Sequence, residues 1–174
     1  MRLDSFERER ERGFVLDLRQ SNPRRQGDLG EVTAAAWLAK AGFGVWIPFG
    51  HSPDVDLIAQ QGDSLYRIQV KTSTHFRNGR WNVCVCTRGG NRSWSGLVKH
   101  LDSQRYDYLF AVVADWRCWL IPADSVEGRT AVGLGGPKYA AFEVTGRTSV
   151  PEACALESPP APGGAPELES RAGL

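Results

Sequence analysis

Two short runs rich in apolar residues, 55–59 and 65–70, flank the pair Gly62-Asp63. Such a pair between strand-like runs specifies a tight β-hairpin, since glycine accepts the positive φ that two-residue turns demand. The turn also fixes a register. With Gly62 and Asp63 at the tip, Gln61 opposes Ser64, Asp56 opposes Gln69, and Asp54 opposes Lys71. Opposed residues share one face of a sheet, as do neighbours two apart along a strand. Asp54, Asp56, Gln69 and Lys71 therefore converge on one face, while Val55, Leu57, Ile68 and Val70 take the other. A loop of odd length would slip the register and scatter the set.

Two carboxylates, an amide oxygen and a lysine on one sheet face make a candidate site for a hard cation. Mg²⁺ takes oxygen ligands and keeps several waters, so one or two carboxylates suffice. Such an ion offsets the charge of a phosphodiester and lowers the pKa of a bound water. A neighbouring lysine orients that water and stabilises charge in the transition state. A surface hairpin with a cross-strand Asp–Lys pair, worth under ~1 kcal/mol, satisfies the same register. Geometry alone leaves both readings open.

The rest of the chain supplies a frame for the hairpin. Residues 27–41 read as a helix, with Asp28 as its cap and Gly42 at its stop. Residues 43–47 and 81–87 read as strands, and 108–114 with 117–121 as a hairpin about Asp115-Trp116. A late strand is expected at 139–144. The glycine-rich stretch Gly133 to Lys138 lacks the Ser or Thr of a phosphate loop and reads as a plain loop. Helix, strand, hairpin and strand in this order predict an α/β domain on a mixed β-sheet flanked by helices.

Composition narrows the classes. A chain of 174 residues fits one domain with a tail. No run of apolar residues is long enough for a membrane span, and the first residues are charged where a secretory signal would be apolar. Four cysteines without a C-x-x-C pair argue against a disulfide scaffold or zinc ribbon, and the three histidines lack zinc spacing. A reduced, cytoplasmic protein is expected. Residues 151–174 hold five of the ten prolines and carry four glutamates against one arginine, which predicts a disordered tail. Residues 1–26 are expected to be a charged extension, leaving 27–150 as the domain.

Charge within the domain is uneven. From Arg67 to Arg105 there are eight Lys or Arg residues and one acid, Asp102. Aromatic residues and glycines interleave them, a pattern suited to a phosphate backbone, which arginine meets with paired hydrogen bonds. Arg77, Arg80, Arg88, Arg92 and Lys99 are the candidate DNA contacts. Trp81 and Trp94, in the same stretch, are either core residues or stacking platforms for bases.

Gly27-Asp28-Leu29-Gly30-Glu31, Ser52-Pro53-Asp54-Val55-Asp56-Leu57 and Ile68-Gln69-Val70-Lys71-Thr72 together resemble the PD-(D/E)xK nuclease superfamily. The branch with Gln at the (D/E) position, found in some intron-encoded homing endonucleases, is the most similar. The runs Arg105 to Val113 and Trp119 to Pro122 add to that likeness. The resemblance implies a restriction-endonuclease-like core and a Mg²⁺-dependent endonuclease, with Mn²⁺ able to substitute. Asp56 would be the main metal ligand, Gln69 would offer its side-chain oxygen, and Glu31 would complete the shell. Lys71 would orient the attacking water. Pro53-Asp54 matches the motif's letters, but Asp56 is the aspartate opposite Gln69, and it leads into a strand.

Glutamine at that position supplies one less negative charge than glutamate and cannot act as a base. The expected partner is double-stranded DNA, cut by a homo-oligomer, dimer or tetramer, because one site cuts one strand. Two rivals share the fold. One is a DNA-binding module with a lapsed active site, and the other is a resolvase of branched (Holliday junction) DNA.

Overall fold

The computed structural model describes residues 17–49, 54–88, 98–100 and 102–154. The one long helix among the described residues, α1 (Pro23–Lys40), begins at Asn22, whose side chain accepts the Arg24 N–H at 2.9 Å. Proline at the first helical position needs no amide partner, so Asn22-Pro23 is a strong start signal. The helix therefore opens four residues before the expected Gly27, and Asp28 lies inside it without a capping role. Its far end is closed by Gly42 at φ +90, with Gly42 N–H on Ala39 O and Phe43 N–H on Leu38 O. That reversed pair of bonds is a glycine-terminated Schellman stop. Leu18, ahead of the helix, is fully buried in the core. The expected extension of 1–26 thus overlaps the folded unit by these residues.

The main sheet has the order β1-β2-β3-β8-β9. Its strands are β1 (Gly44–Trp46), β2 (Leu57–Gln61), β3 (Ser64–Ser73), β8 (Tyr108–Val113) and β9 (Cys118–Pro122). Strands β3 and β8 are parallel and the other neighbours antiparallel. The β2–β3 hairpin turns at Gly62, φ +58, with Gln61 opposite Ser64 and Leu57 opposite Ile68, which is the register expected from the turn.

Both faces of this sheet are covered. Leu57, Ile68, Val70, Phe110 and Leu120 pack under α1. Leu109, Ala111, Trp119 and Ile121 pack on a second layer. That layer is a small sheet of β4 (Phe76–Arg77), β5 (Arg80–Cys84) and β10 (Ala131–Leu134). Burial on both sides explains why β8, Tyr-Leu-Phe-Ala-Val-Val, is an unbroken apolar run instead of an alternating one. A separate ribbon joins β6 (Cys86–Arg88) to β7 (Val98–His100).

Two expectations fail at the C-terminal end. Residues 137–142 form a 3₁₀ helix, not a strand; the strand-like contact there is a bridge from Glu143 to Trp119. Three residues per turn bring Tyr139 and Phe142 onto one side, with ring centroids 6.5 Å apart. The glycine-rich stretch read as a loop begins as strand β10, in which Val132 and Leu134 point inward against β5. The first residues of the expected tail also belong to the fold. A 3₁₀ turn, Glu152–Cys154, brings the Cys154 thiol to Leu120 O at 3.0 Å. Residues 155–174 lie outside the described residues. Among those described, no helix is long and apolar enough to cross a membrane.

The contact that seats α1 on the sheet is Gly30. A Cβ there would fall 2.0 Å from Thr72 Cγ2 and 3.5 Å from Val70 Cγ1. Glycine lets the helix touch β3 at the place where Glu31 must approach it. Gly30→Ala is expected to destabilise the domain by about 1–3 kcal/mol, as overpacking does. Adding Thr72→Ser, which removes the obstructing methyl, should restore most of that loss. Urea denaturation of the two single variants and the double variant measures the coupling.

Candidate active site

The site lies where the β2–β3 ladder ends. Leu57 is the last paired residue of β2, and Asp56 precedes it. The Asp56 N–H still reaches Ile68 O at 2.9 Å. Its carboxylate turns back on β3: Oδ2 accepts the Val70 N–H at 2.7 Å and also the Gln69 side-chain amide. Asp56 and Gln69 are thus joined directly, as the register requires.

Gln69 is 2% exposed, and with its Nε2 committed to Asp56, its Oε1 is buried without a hydrogen-bond partner among the described residues. Burying such an acceptor unpaired costs about 1–3 kcal/mol, which calls for an explanation in terms of function.

Glu31 follows Gly30 on α1 and completes the group. Its carboxyl is held above the ordinary carboxylate value, first by burial, then by the negative charges of Asp56 and Asp28. Lys71 acts in the opposite sense, by attraction. Those couplings bring Glu31, Asp56 and Lys71 into one electrostatic neighbourhood, with Lys71 partly buried on β3.

Asp54 departs from expectation. It is 4% exposed and forms an ion pair with Arg105, Oδ2 to Nη1 at 2.9 Å, a partner the hairpin register did not foresee. The regular ladder stops at Leu57, so the register no longer governs a residue three positions earlier. Arg105 also meets Asp102 at 3.3 Å. Arg67 is likewise committed, to Asp107, by paired hydrogen bonds of 2.8 and 3.1 Å. Two members of the basic stretch are therefore structural. Nothing in the sequence pattern distinguished them, because their partners lie 51 and 40 residues away.

The remaining oxygen donors fit a divalent metal of the hard class. Glu31 and Asp56 offer carboxylates, and Gln69, whose Nε2 donates to Asp56, carries a neutral oxygen, Oε1, that has no hydrogen-bond partner among the described residues. No group of three His, Cys, Asp or Glu side chains able to hold a metal is found among the described residues, so an ion here would draw on two carboxylates, the amide oxygen and water.

Of the expected DNA contacts, Arg77 and Arg80 face each other across a turn at Asn78-Gly79, with φ of 51 and 72. They line a cleft of about 360 Å³ with Asn78, Asn82 and Gly133. Gly136 makes room for Arg80: a Cβ there would sit 2.9 Å from Nε. Arg88 and Lys99 fall on strands β6 and β7. Arg92 lies outside the described residues, as does Trp94. Trp81 is a core residue, 7% exposed, with its indole N–H on Asp115 at 3.1 Å.

A family model described as PD-(D/E)XK endonuclease matches residues 21–133. The chain belongs to that family. Among solved structures, this endonuclease-family chain is similar to a bacterial homing endonuclease, I-Ssp6803I, at 20% identity and TM-score 0.63. The match covers 72% of this chain and 90% of that one, and it confirms the restriction-endonuclease-like fold. No curated protein sequence matches.

In this PD-(D/E)XK endonuclease the raised Glu31 carboxyl has a consequence for stability. The folded chain keeps that proton to higher pH than the unfolded chain does. The resulting stabilisation is complete below the unfolded-chain value and is lost as pH rises through the folded value. Glu31→Gln should therefore raise the melting temperature at neutral pH without added metal, with the gain vanishing in acid. Thermal melts across that range check the sign.

Proposed function

We propose that this chain is a cytoplasmic, divalent-metal-dependent endonuclease acting on double-stranded DNA, with Mg²⁺ as its ion and Mn²⁺ as a substitute. The observation that carries the reading is the Gln69 side chain, which donates to the Asp56 carboxylate through Nε2 and whose buried Oε1 has no hydrogen-bond partner among the described residues. Asp56, Gln69 and Glu31 would hold the ion, whose charge offsets that of the phosphodiester and acidifies water.

The chain's own groups do the rest. Lys71 donates a hydrogen bond that orients the attacking water, and its charge stabilises the negative charge that develops on the phosphoryl oxygens. Water adds to phosphorus and one P–O ester bond breaks, leaving a phosphate monoester and a hydroxyl. Gln69 has no basic lone pair to take the water's proton, so its part is ligation and position. Burial and then the negative charges of Asp56 and Asp28 hold the Glu31 carboxyl above its ordinary value, and a bound cation would relieve that repulsion.

Arg77 and Arg80, beside the Asn78-Gly79 turn, are suited to phosphate contact, and Arg88, Arg92 and Lys99 follow them in the same basic stretch of sequence. Cutting both strands of a duplex calls for two copies of the chain, hence a homo-oligomer.

A second reading, a DNA-binding module on the same fold, draws on the hydrogen bond from Gln69 to Asp56, which satisfies the carboxylate without any ion. One experiment separates them. Purified protein is mixed with plasmid DNA and Mg²⁺, with and without EDTA, and cleavage and binding are both measured. The nuclease reading expects metal-dependent nicking or cutting. Lys71→Ala or Asp56→Asn should lower it at least about a hundred-fold while binding persists, and Arg80→Ala should weaken binding itself. Binding without cleavage by the parent chain, or full cleavage by Lys71→Ala, would overturn it.

A further inference from the structure

Strand β5 ends at Cys84 and β6 begins at Cys86, with Val85 between the two ladders. Val83 and Val85 are fully buried in the core. Alternation along an extended chain sends residues 84 and 86 to the opposite side together. Their sulfurs lie 3.4 Å apart as free thiols, the Cys84 residue exposed and Cys86 buried. An accessible thiol with a second thiol in contact behind it is the arrangement of an attacking and a resolving cysteine.

We propose that Cys84 and Cys86 form an oxidisable dithiol that closes to an intramolecular disulfide on meeting a small-molecule disulfide such as oxidised glutathione. The Cys84 thiolate attacks one sulfur of the oxidant, expelling one glutathione thiolate and leaving a mixed disulfide. The Cys86 thiolate then attacks the Cys84 sulfur and expels the second glutathione. Two protein thiols lose two protons and two electrons, and one disulfide of the oxidant becomes two thiols. The bridge would tie the end of β5 to the start of β6, the strand that carries Arg88.

The other two cysteines act as internal controls. Burial pushes the Cys118 thiol up to about 12 and the Cys154 thiol up to about 11. All three of Cys84, Cys118 and Cys154 donate to a main-chain carbonyl (Cys86 O at 3.4 Å, Trp116 O at 3.5 Å and Leu120 O at 3.0 Å), but only Cys84 is exposed and has a second thiol in contact. Thiols held protonated inside a core are poor nucleophiles.

The test is intact-mass and peptide mass spectrometry of the full chain after incubation with oxidised glutathione. The expected parent product has lost two hydrogens, links Cys84 to Cys86 and keeps Cys118 and Cys154 reduced. Cys86→Ser should instead retain one glutathionyl group, on Cys84. A parent chain that keeps a glutathionyl group on Cys84, stays fully reduced, or bridges other cysteines would overturn the proposal. The result is independent of whether the chain cuts DNA.

Discussion

Where the ladder between β2 and β3 runs out, the carboxylate of Asp56 takes its place. It accepts the main-chain N–H of Val70 and the side-chain amide of Gln69, so one half-buried carboxylate holds both the backbone and the Gln69 side chain. Without it, an inward donor on β3 would lose its partner, at about 1–3 kcal/mol. Everything proposed about chemistry here depends on that carboxylate being fixed by β3 while remaining within the electrostatic reach of Glu31 and Lys71.

The helix contributes through proximity rather than through its own stability. Gly30 allows a helix–strand contact that any side chain would block, and this approach carries Glu31 into the field of Asp56. The resulting repulsion makes the folded chain hold its carboxyl groups under tension unless a proton or a cation relieves it. The crowded carboxylates are therefore a local weakness of the fold, the exchange between stability and function that the proposed cation site would entail.

The hairpin and its register were legible in the sequence because a two-residue turn and a period-two pattern are local. The pairing of β2 with β3 and the contact between Asp56 and Gln69 followed from them. The start of α1 was also legible at Asn22-Pro23, although alanine content drew the boundary to Gly27. What local pattern does not encode is the fate of long-range ion pairs. Arg105 is taken by Asp54, and Arg67 by Asp107, each across dozens of residues. Strand β10 was hidden for a related reason: Gly133 and the two glycines that follow the strand suit a loop, and only pairing with β5 makes it a strand. The 3₁₀ segment at Pro137–Phe142 has strand-like aromatics, but its spacing serves an i, i+3 contact instead.

The central claim is that the orphaned oxygen of Gln69 belongs to a divalent cation. Calorimetric titration of Mn²⁺ into the parent chain and into Gln69→Glu tests it most directly. Adding a charge to a ligand that already faces the ion should tighten binding by about tenfold or more, since affinity follows ligand charge. Equal or weaker affinity in Gln69→Glu would contradict the account, because the residue would then stand outside the coordination shell.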